Sequence, residues 1–122
     1  MGSIEENLKM EWSKKEKEIA HRAFTAAYER DCMVITHNAL KMTAEINEPS
    51  DIWEIHDYLT EKRNETDQKY DYRYTGLLSV FARLMCEGWI REEDLEGLSG
   101  DKLQEIHRMR NLKPQFKTGE AG

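Results

Sequence analysis

The two prolines of this chain, Pro49 and Pro114, leave long stretches in which nothing forbids a helix. Proline is excluded from helix interiors, so a first helix must end before Pro49. We predict that it covers residues 13–47, with Ser13 as N-cap and Glu16 completing a capping box. The apolar residues of this stretch recur at steps of three or four along one face: Ile19, Ala20, Ala23, Phe24, Ala27, Val34, Ile35, Met42 and Ile46.

A second helix is predicted to start at Pro49-Ser50-Asp51, because proline is tolerated in the first turn and an acid is favourable at the positive helix end. No strong breaker precedes Gly76, and the pattern predicts one helix over 50–87 that ends with Gly88 in a left-handed conformation. The apolar stripe is thin between residues 60 and 73. That middle part is therefore solvated or paired with polar groups of another chain.

Two short helices are predicted after Gly88, one beginning at Arg91 and one capped by Ser99. No alternating strand pattern is present in the sequence. The expected fold class is all-α, with two long helices followed by a small C-terminal helical head. We expect one domain over 12–112, with flexible termini at 1–11 and 113–122.

The composition sets limits on how such helices can be stabilised. The 122 residues are 39% hydrophobic and 34% charged, which suits long helices that each bury one stripe. Dimerisation would add core that a single thin chain lacks. Three Trp, five Tyr and three Phe argue against disorder for most of the length.

Charge and cysteine usage exclude several classes of function. A net charge of −6 disfavours nucleic-acid binding, which calls for a basic surface. No stretch approaches the roughly 20 apolar residues of a membrane span, and no apolar signal core is present. Cys32 and Cys86 form no paired motif and are expected to be reduced thiols. The expected location is cytoplasmic.

Catalytic and metal chemistry are also disfavoured. The sequence has no His-Glu-x-x-His or Cys-x-x-Cys pattern, and its glycines form no cofactor loop. His21 and His37 lie far apart around the first helix. His56 and Asp57 could act as an acid–base pair, but a long helix provides neither a pocket wall nor oxyanion donors beside them. We expect no catalytic residue, no metal and no cofactor.

The helix predicted after Pro49 carries four residues that core packing does not require: Trp53, His56, Asp57 and Arg63. Trp53 and Asp57 are four apart, and His56 and Arg63 are seven apart, so each pair shares a helix face. Aromatic side chains and arginine are typical of interface hot spots, which indicates contact with another protein. The same spacing fits Trp53 in a dimer core with His56 and Arg63 in ordinary ion pairs.

Two long blocks of the sequence match a known pattern. They are Trp12-Ser13-x-x-Glu16-x-x-x-Ala20-His21-x-x-Phe24-x-x-Ala27-Tyr28-x-Arg30 and Asp51-x-Trp53-x-x-His56-Asp57-Tyr58-Leu59-x-x-x-Arg63, the second followed by Asp67, Lys69-Tyr70-Asp71 and Arg73. A weaker third block lies around residues 80–98. With these blocks the chain resembles, over residues 12–112, the fluorescence recovery protein family of cyanobacterial photoprotection. The resemblance implies a cytoplasmic location, or one peripheral to thylakoid membranes.

The resemblance implies an antiparallel dimeric helical bundle with a head at each end and no enzymatic activity. It implies binding to the C-terminal domain of the photoactivated orange carotenoid protein. It also implies that the chain accelerates the return of that partner to the inactive orange form and promotes its release from the phycobilisome. The alternative is a dimeric interaction module of the same fold with an unrelated client, in an organism that lacks phycobilisomes.

The resemblance also implies roles for individual residues. Arg63 and Asp57 are expected to contact the partner, while Trp53 and His56 are expected on both the partner surface and the dimer interface. The remaining residues expected at the dimer interface are Trp12, Phe24 and Tyr70. The chain departs from the family at Ser79, where a bulky aromatic residue can occur, and at Glu105, where a basic residue can occur. It also continues past Leu112 without a counterpart.

Overall fold

Helix α1 is the longest element of the protein and runs over Lys14–Ala44. The computed structural model describes residues 11–112, in which every regular element is helical, so the predicted all-α class is confirmed. The elements that follow α1 are a 3₁₀ turn at Pro49–Asp51, α2 at Ile52–Lys69, α3 at Leu77–Cys86, a 3₁₀ turn at Glu92–Leu95 and α4 at Gly100–Arg110.

The start of α1 follows the predicted capping box. The Ser13 hydroxyl accepts the Glu16 amide hydrogen at 3.0 Å, and the Glu16 carboxylate accepts the Ser13 amide hydrogen at 3.0 Å. These two bonds satisfy amides that the first turn leaves without partners. With 31 residues, α1 is about 46 Å long and has no break.

The single second helix predicted over 50–87 is wrong. Helix α2 ends at Lys69, and residues 70–76, which we call the strap, are not helical before α3 begins. The hydroxyl of Tyr70 donates to the carbonyl oxygen of Ala27 at 3.2 Å and lies 3.0 Å from the Asp31 carboxylate. These contacts to α1 require the chain to turn, so tertiary packing overrides local helix propensity here.

The hydrophobic core lies in a head formed by the N-terminal half of α1, α3, α4 and the turns between them. The head therefore contains more than the C-terminal helices that the sequence indicated, because the first half of α1 is one of its walls. The core residues are Trp12, Ile19, Ala20, Ala23, Ala27, Leu77, Phe81, Ala82, Leu84, Ile90, Leu95, Leu98 and Ile106.

The end of α3 follows the predicted glycine cap. Gly88 has a φ of 88°, and its amide donates to Met85 while the amide of Trp89 donates to Leu84 at 2.8 Å. This pair of bonds is a Schellman motif, which requires a left-handed residue at the position of Gly88. The turn directs Trp89 and Ile90 back towards the head.

The C-terminal half of α1 and α2 form an antiparallel hairpin that extends away from the head. Asn38 donates from its side-chain amide to the Tyr58 hydroxyl at 2.9 Å, and Ile55 is the only buried apolar residue of α2. Ile35 and Met42 are half-buried, and most of the hairpin's other large apolar side chains are exposed: Met33, Val34, Leu40, Ile52, Trp53 and Leu59. The hairpin therefore has almost no core of its own within one protomer.

A buried ion cluster joins α1, α2 and α3 where the hairpin meets the head. The ammonium group of Lys69 lies 2.7 Å from the Asp31 carboxylate and 2.8 Å from the Glu87 carboxylate. Glu87 also accepts from Arg83 at 2.9 Å and from the indole N–H of Trp89 at 3.0 Å. We call these five residues the junction cluster.

Burial alone would raise the pKa of Glu87, but hydrogen bonds from Lys69 and Arg83 outweigh it and lower that pKa.

A second buried pair fixes the start of α1 to α4. The ammonium group of Lys102 contacts the Glu16 carboxylate at 3.1 Å and the Glu11 carbonyl oxygen at 2.6 Å, and it lies 4.9 Å from the ring centre of Trp12. Glu11 is thus held in place, although it falls within a predicted flexible terminus. The rest of those termini, 1–10 and 113–122, lie outside the described residues.

Replacing the junction lysine is expected to destabilise the fold strongly. Lys69→Met leaves two buried carboxylates without their shared cation, and breaking a buried ion pair in this way costs about 3–5 kcal/mol. The free energy of unfolding from urea titration measures this cost. The control is Lys62→Met, which removes the more exposed pair between Lys62 and Glu65 and should change stability by less than about 1 kcal/mol. Equal losses for the two variants would contradict the role given to Lys69.

Acid is expected to destabilise the head through Glu87. The ordinary pKa of a glutamate carboxyl is 4.5, and the pKa of Glu87 is lower than this in the folded protein. The stabilisation that the ionised Glu87 provides is therefore complete above pH 4.5. As the pH falls below 4.5, the unfolded chain takes up the proton first, and the free energy of unfolding decreases until the folded pKa is passed. Thermal unfolding measured from about pH 7 to about pH 3 should show this decrease. Glu87→Gln should make stability depend less steeply on pH in this range. An unchanged slope would show that other carboxylates dominate.

Candidate protein-binding surface

The outward face of α2 carries the four residues that the sequence singled out. Trp53, His56, Asp57 and Arg63 are all exposed, with relative accessibility of 64% for Trp53, and we call them the ridge. They lie outside the packing face of α2, which is centred on Ile55. Their exposure suits contact with a broad partner surface.

Contacts within the ridge link its first three residues. The rings of Trp53 and His56 meet edge to face with their centres 6.1 Å apart, and His56 Nδ1 lies 3.4 Å from the Asp57 carboxylate. Arg63 lies outside this group. Its Nε donates to the Asp67 carboxylate at 3.1 Å, one helical turn towards the head.

Asp67 is the partner of Arg63, and it is not among the four residues that the sequence singled out for the ridge. Its spacing of four from Arg63 is the signal that was available, since oppositely charged residues at that spacing are neighbours on a helix. The bond uses only one edge of the Arg63 guanidinium. Among residues 11–112, no acceptor engages its two terminal nitrogens.

The ridge offers binding rather than covalent chemistry. It combines a large apolar ring, an imidazole, a carboxylate and a guanidinium, and these groups supply both buried area and directional hydrogen bonds when a partner excludes water. Within the described part of the chain, no cluster of three or more His, Cys, Asp or Glu side chains is arranged to hold a metal ion.

Three of the residues expected at the dimer interface are used inside one protomer. Trp12 is 9% exposed and belongs to the head core, where its ring faces Tyr74 at 5.3 Å between centres. Phe24 and Tyr70 are half-buried and meet edge to face at 5.5 Å. These rings hold the strap on α1, and their contribution to a dimer interface stays a prediction.

The exposed apolar residues of the hairpin give a better candidate for a dimer interface. Ile52 and Leu59 are 47% and 41% exposed, and they lie seven residues apart on one side of α2. His56 and Arg63 share this side, because His56 is four residues from Ile52 and Arg63 is four residues from Leu59. This apolar pair and the ridge are therefore adjacent on α2.

In the described chain, no helix is both long and apolar enough to cross a membrane.

A helical hairpin with an exposed ridge, rigidly attached to a packed head, defines a small all-α protein-interaction protein. The sequence profile described as "Photoprotection regulator fluorescence recovery protein" matches residues 12–110. The chain belongs to the fluorescence recovery protein family, which is described as a photoprotection regulator.

Individual relatives agree with this membership. The fluorescence recovery protein of Synechocystis is 36% identical over 101 residues, which cover 83% of this chain and 93% of that protein. The solved structure of the Fremyella diplosiphon protein is 40% identical, with a TM-score of 0.78 over 83% of this chain and 99% of that chain. The solved Synechocystis structure is 35% identical, with the same TM-score and coverage.

Proposed function

We propose that this chain binds the photoactivated orange carotenoid protein through that protein's C-terminal domain, accelerates its return to the orange form and promotes its release from the phycobilisome. Family membership supports this proposal, because the family is described as a photoprotection regulator. The exposed ridge is the observation that carries it, since an aromatic and charged surface without a cleft is suited to a protein partner.

The proposed activity needs no covalent step. A protein that speeds the relaxation of its partner must bind the compact or transition-like arrangement more tightly than the open one. A tenfold acceleration corresponds to a preference of about 1.4 kcal/mol, which is within the reach of one or two good contacts. Arg63 and Asp57 are the residues proposed to contact the partner, with Trp53 and His56 beside them.

We further propose that the chain acts as a homodimer with its hairpins packed antiparallel. The hairpin exposes Ile52, Trp53 and Leu59 and has little core within one protomer, so a second copy would supply the missing burial. The proposed location is the cytoplasm, where the partner on the phycobilisome is accessible at the thylakoid surface.

A second candidate is an unrelated protein client bound by the same surface. It is favoured by the head, where Ser79 is exposed and Glu105 pairs with Arg108. These positions can carry an aromatic and a basic residue in the family that the sequence resembles. A folded dimer that leaves the recovery rate of the orange carotenoid protein unchanged would favour this second candidate.

Arg63→Leu is expected to abolish the accelerated recovery. The measurement is the return of visible absorbance to the orange form in darkness, with and without this chain, after photoactivation of the orange carotenoid protein. Arg73→Leu is the matched control, because both arginine side chains are 77% exposed and both pair with an aspartate. We expect the control to retain the wild-type rate. Equal loss in both variants would indicate a general effect of charge and would contradict a site at Arg63.

Trp53→Ala is expected to weaken the dimer. The variant removes a large exposed apolar ring next to the proposed interface, and light scattering coupled to size-exclusion chromatography reports the mass as the protein is diluted. Met33→Ala is the control, because Met33 is similarly exposed but lies on the side of α1 away from α2. A dimer that survives Trp53→Ala but dissociates with Met33→Ala would place the interface on α1.

A further inference from the structure

Arg63 has a neighbour on the other helix of the hairpin. Helices α1 and α2 are antiparallel, with Asn38 bonded to Tyr58 and Asp31 bonded to Lys69. This register places Tyr28 across from the last turn of α2. The Arg63 side chain points towards that turn, because its Nε is bonded to Asp67.

Tyr28 is an exposed aromatic residue on a firm support. Its ring is 44% exposed and rests edge to face on Tyr70, with the ring centres 5.3 Å apart. A hydrogen bond with the Cys32 thiol raises the pKa of the phenol, and the charges of Arg63 and Asp67 act on it with opposite signs. Tyr28 thus lies within the electrostatic reach of the Arg63–Asp67 pair.

The charges around this site favour an acidic ligand. Glu61 and Glu65 are each two residues from Arg63, so they project about 200° away from it, on the other side of α2. His56 lies seven residues away and shares its side. Asp67 is the one carboxylate that the described structure bonds to Arg63, and it leaves the terminal nitrogens of the guanidinium available.

We propose that Tyr28 and Asp67 form one partner-binding site with Arg63, and that this site takes a carboxylate side chain flanked by an apolar group on the partner protein. The terminal nitrogens of Arg63 bind the carboxylate, since a guanidinium fork matches that geometry. Tyr28 supplies the aromatic contact, and Asp67 is a positioning residue that holds the guanidinium. The inference rests on the proposed function and extends the site from α2 onto α1.

The test is the affinity of full-length variants for the photoactivated orange carotenoid protein. Tyr28→Ala is expected to weaken binding about tenfold, as truncation of an interface tyrosine does. The matched control is Tyr74→Ala, which truncates a tyrosine of similar exposure in the strap and should leave the affinity unchanged. Tyr28→Phe removes the hydroxyl but keeps the ring and its contact with Tyr70. Because the aromatic ring is the proposed contact, this variant should bind as the wild type does.

The role of Asp67 is tested by a double-mutant cycle. Asp67→Ala is expected to weaken binding about threefold when Arg63 is present, because positioning by a neighbouring charge is a modest effect. In an Arg63→Lys background, in which binding is weakened but measurable, it should cause less further loss, because an ammonium group has no fork for Asp67 to orient. A purely structural role would produce the same loss in both backgrounds and would lower the unfolding midpoint as well. Bidentate binding also requires that Arg63→Lys weaken the complex.

The outcomes separate this inference from the proposed function. If the wild-type chain does not bind the orange carotenoid protein, the proposed function fails. If it binds and Arg63→Leu abolishes binding, but Tyr28→Ala and Asp67→Ala match the wild type, then only the extended site is overturned. Wild-type affinity that does not fall between about 50 and 300 mM salt would exclude a carboxylate as the ligand.

Discussion

The ammonium group of Lys69, held between the carboxylates of Asp31 and Glu87, is the interaction on which the arrangement of the protein depends. Each of the three residues comes from a different helix, and all three side chains are about nine-tenths buried. Buried charges are tolerated only when every partner is in place, so the cluster disfavours other angles between hairpin and head. The turn at Tyr70 follows from the same constraint, because its hydroxyl completes the bonds of Asp31.

The adjacent surfaces on α2 have different physical characters. Ile52 and Leu59 offer apolar area, whereas Arg63 and Asp57 offer directional charge. Apolar area contributes affinity in proportion to the surface removed from water, while charged groups mainly determine orientation and choice of partner. If the proposed dimer and partner contacts both form, α2 would carry them side by side, with apolar area for one and directional charge for the other.

The sequence predicts the features of this fold that depend on near neighbours. Pro49, the Ser13–Glu16 box and Gly88 each act within four residues, and each marks a boundary that the structure confirms. The break after Lys69 was not predictable in this way, because its cause is a contact between residues about forty positions apart. The exposure of the ridge followed from helical spacing alone. The proximity of Tyr28 to Arg63 did not, since it depends on the register between two helices.

The unbroken course of α1 has a mechanical consequence. Its first half forms one wall of the head core, and its second half forms one helix of the hairpin. No proline or glycine interrupts its 31 residues. A helix without such a site bends only gently, so it behaves as a stiff lever about 46 Å long. Force applied to the hairpin by a bound partner would thus be transmitted to the head as a rotation of the whole body. A load on either end of α1 would therefore displace the other end with it.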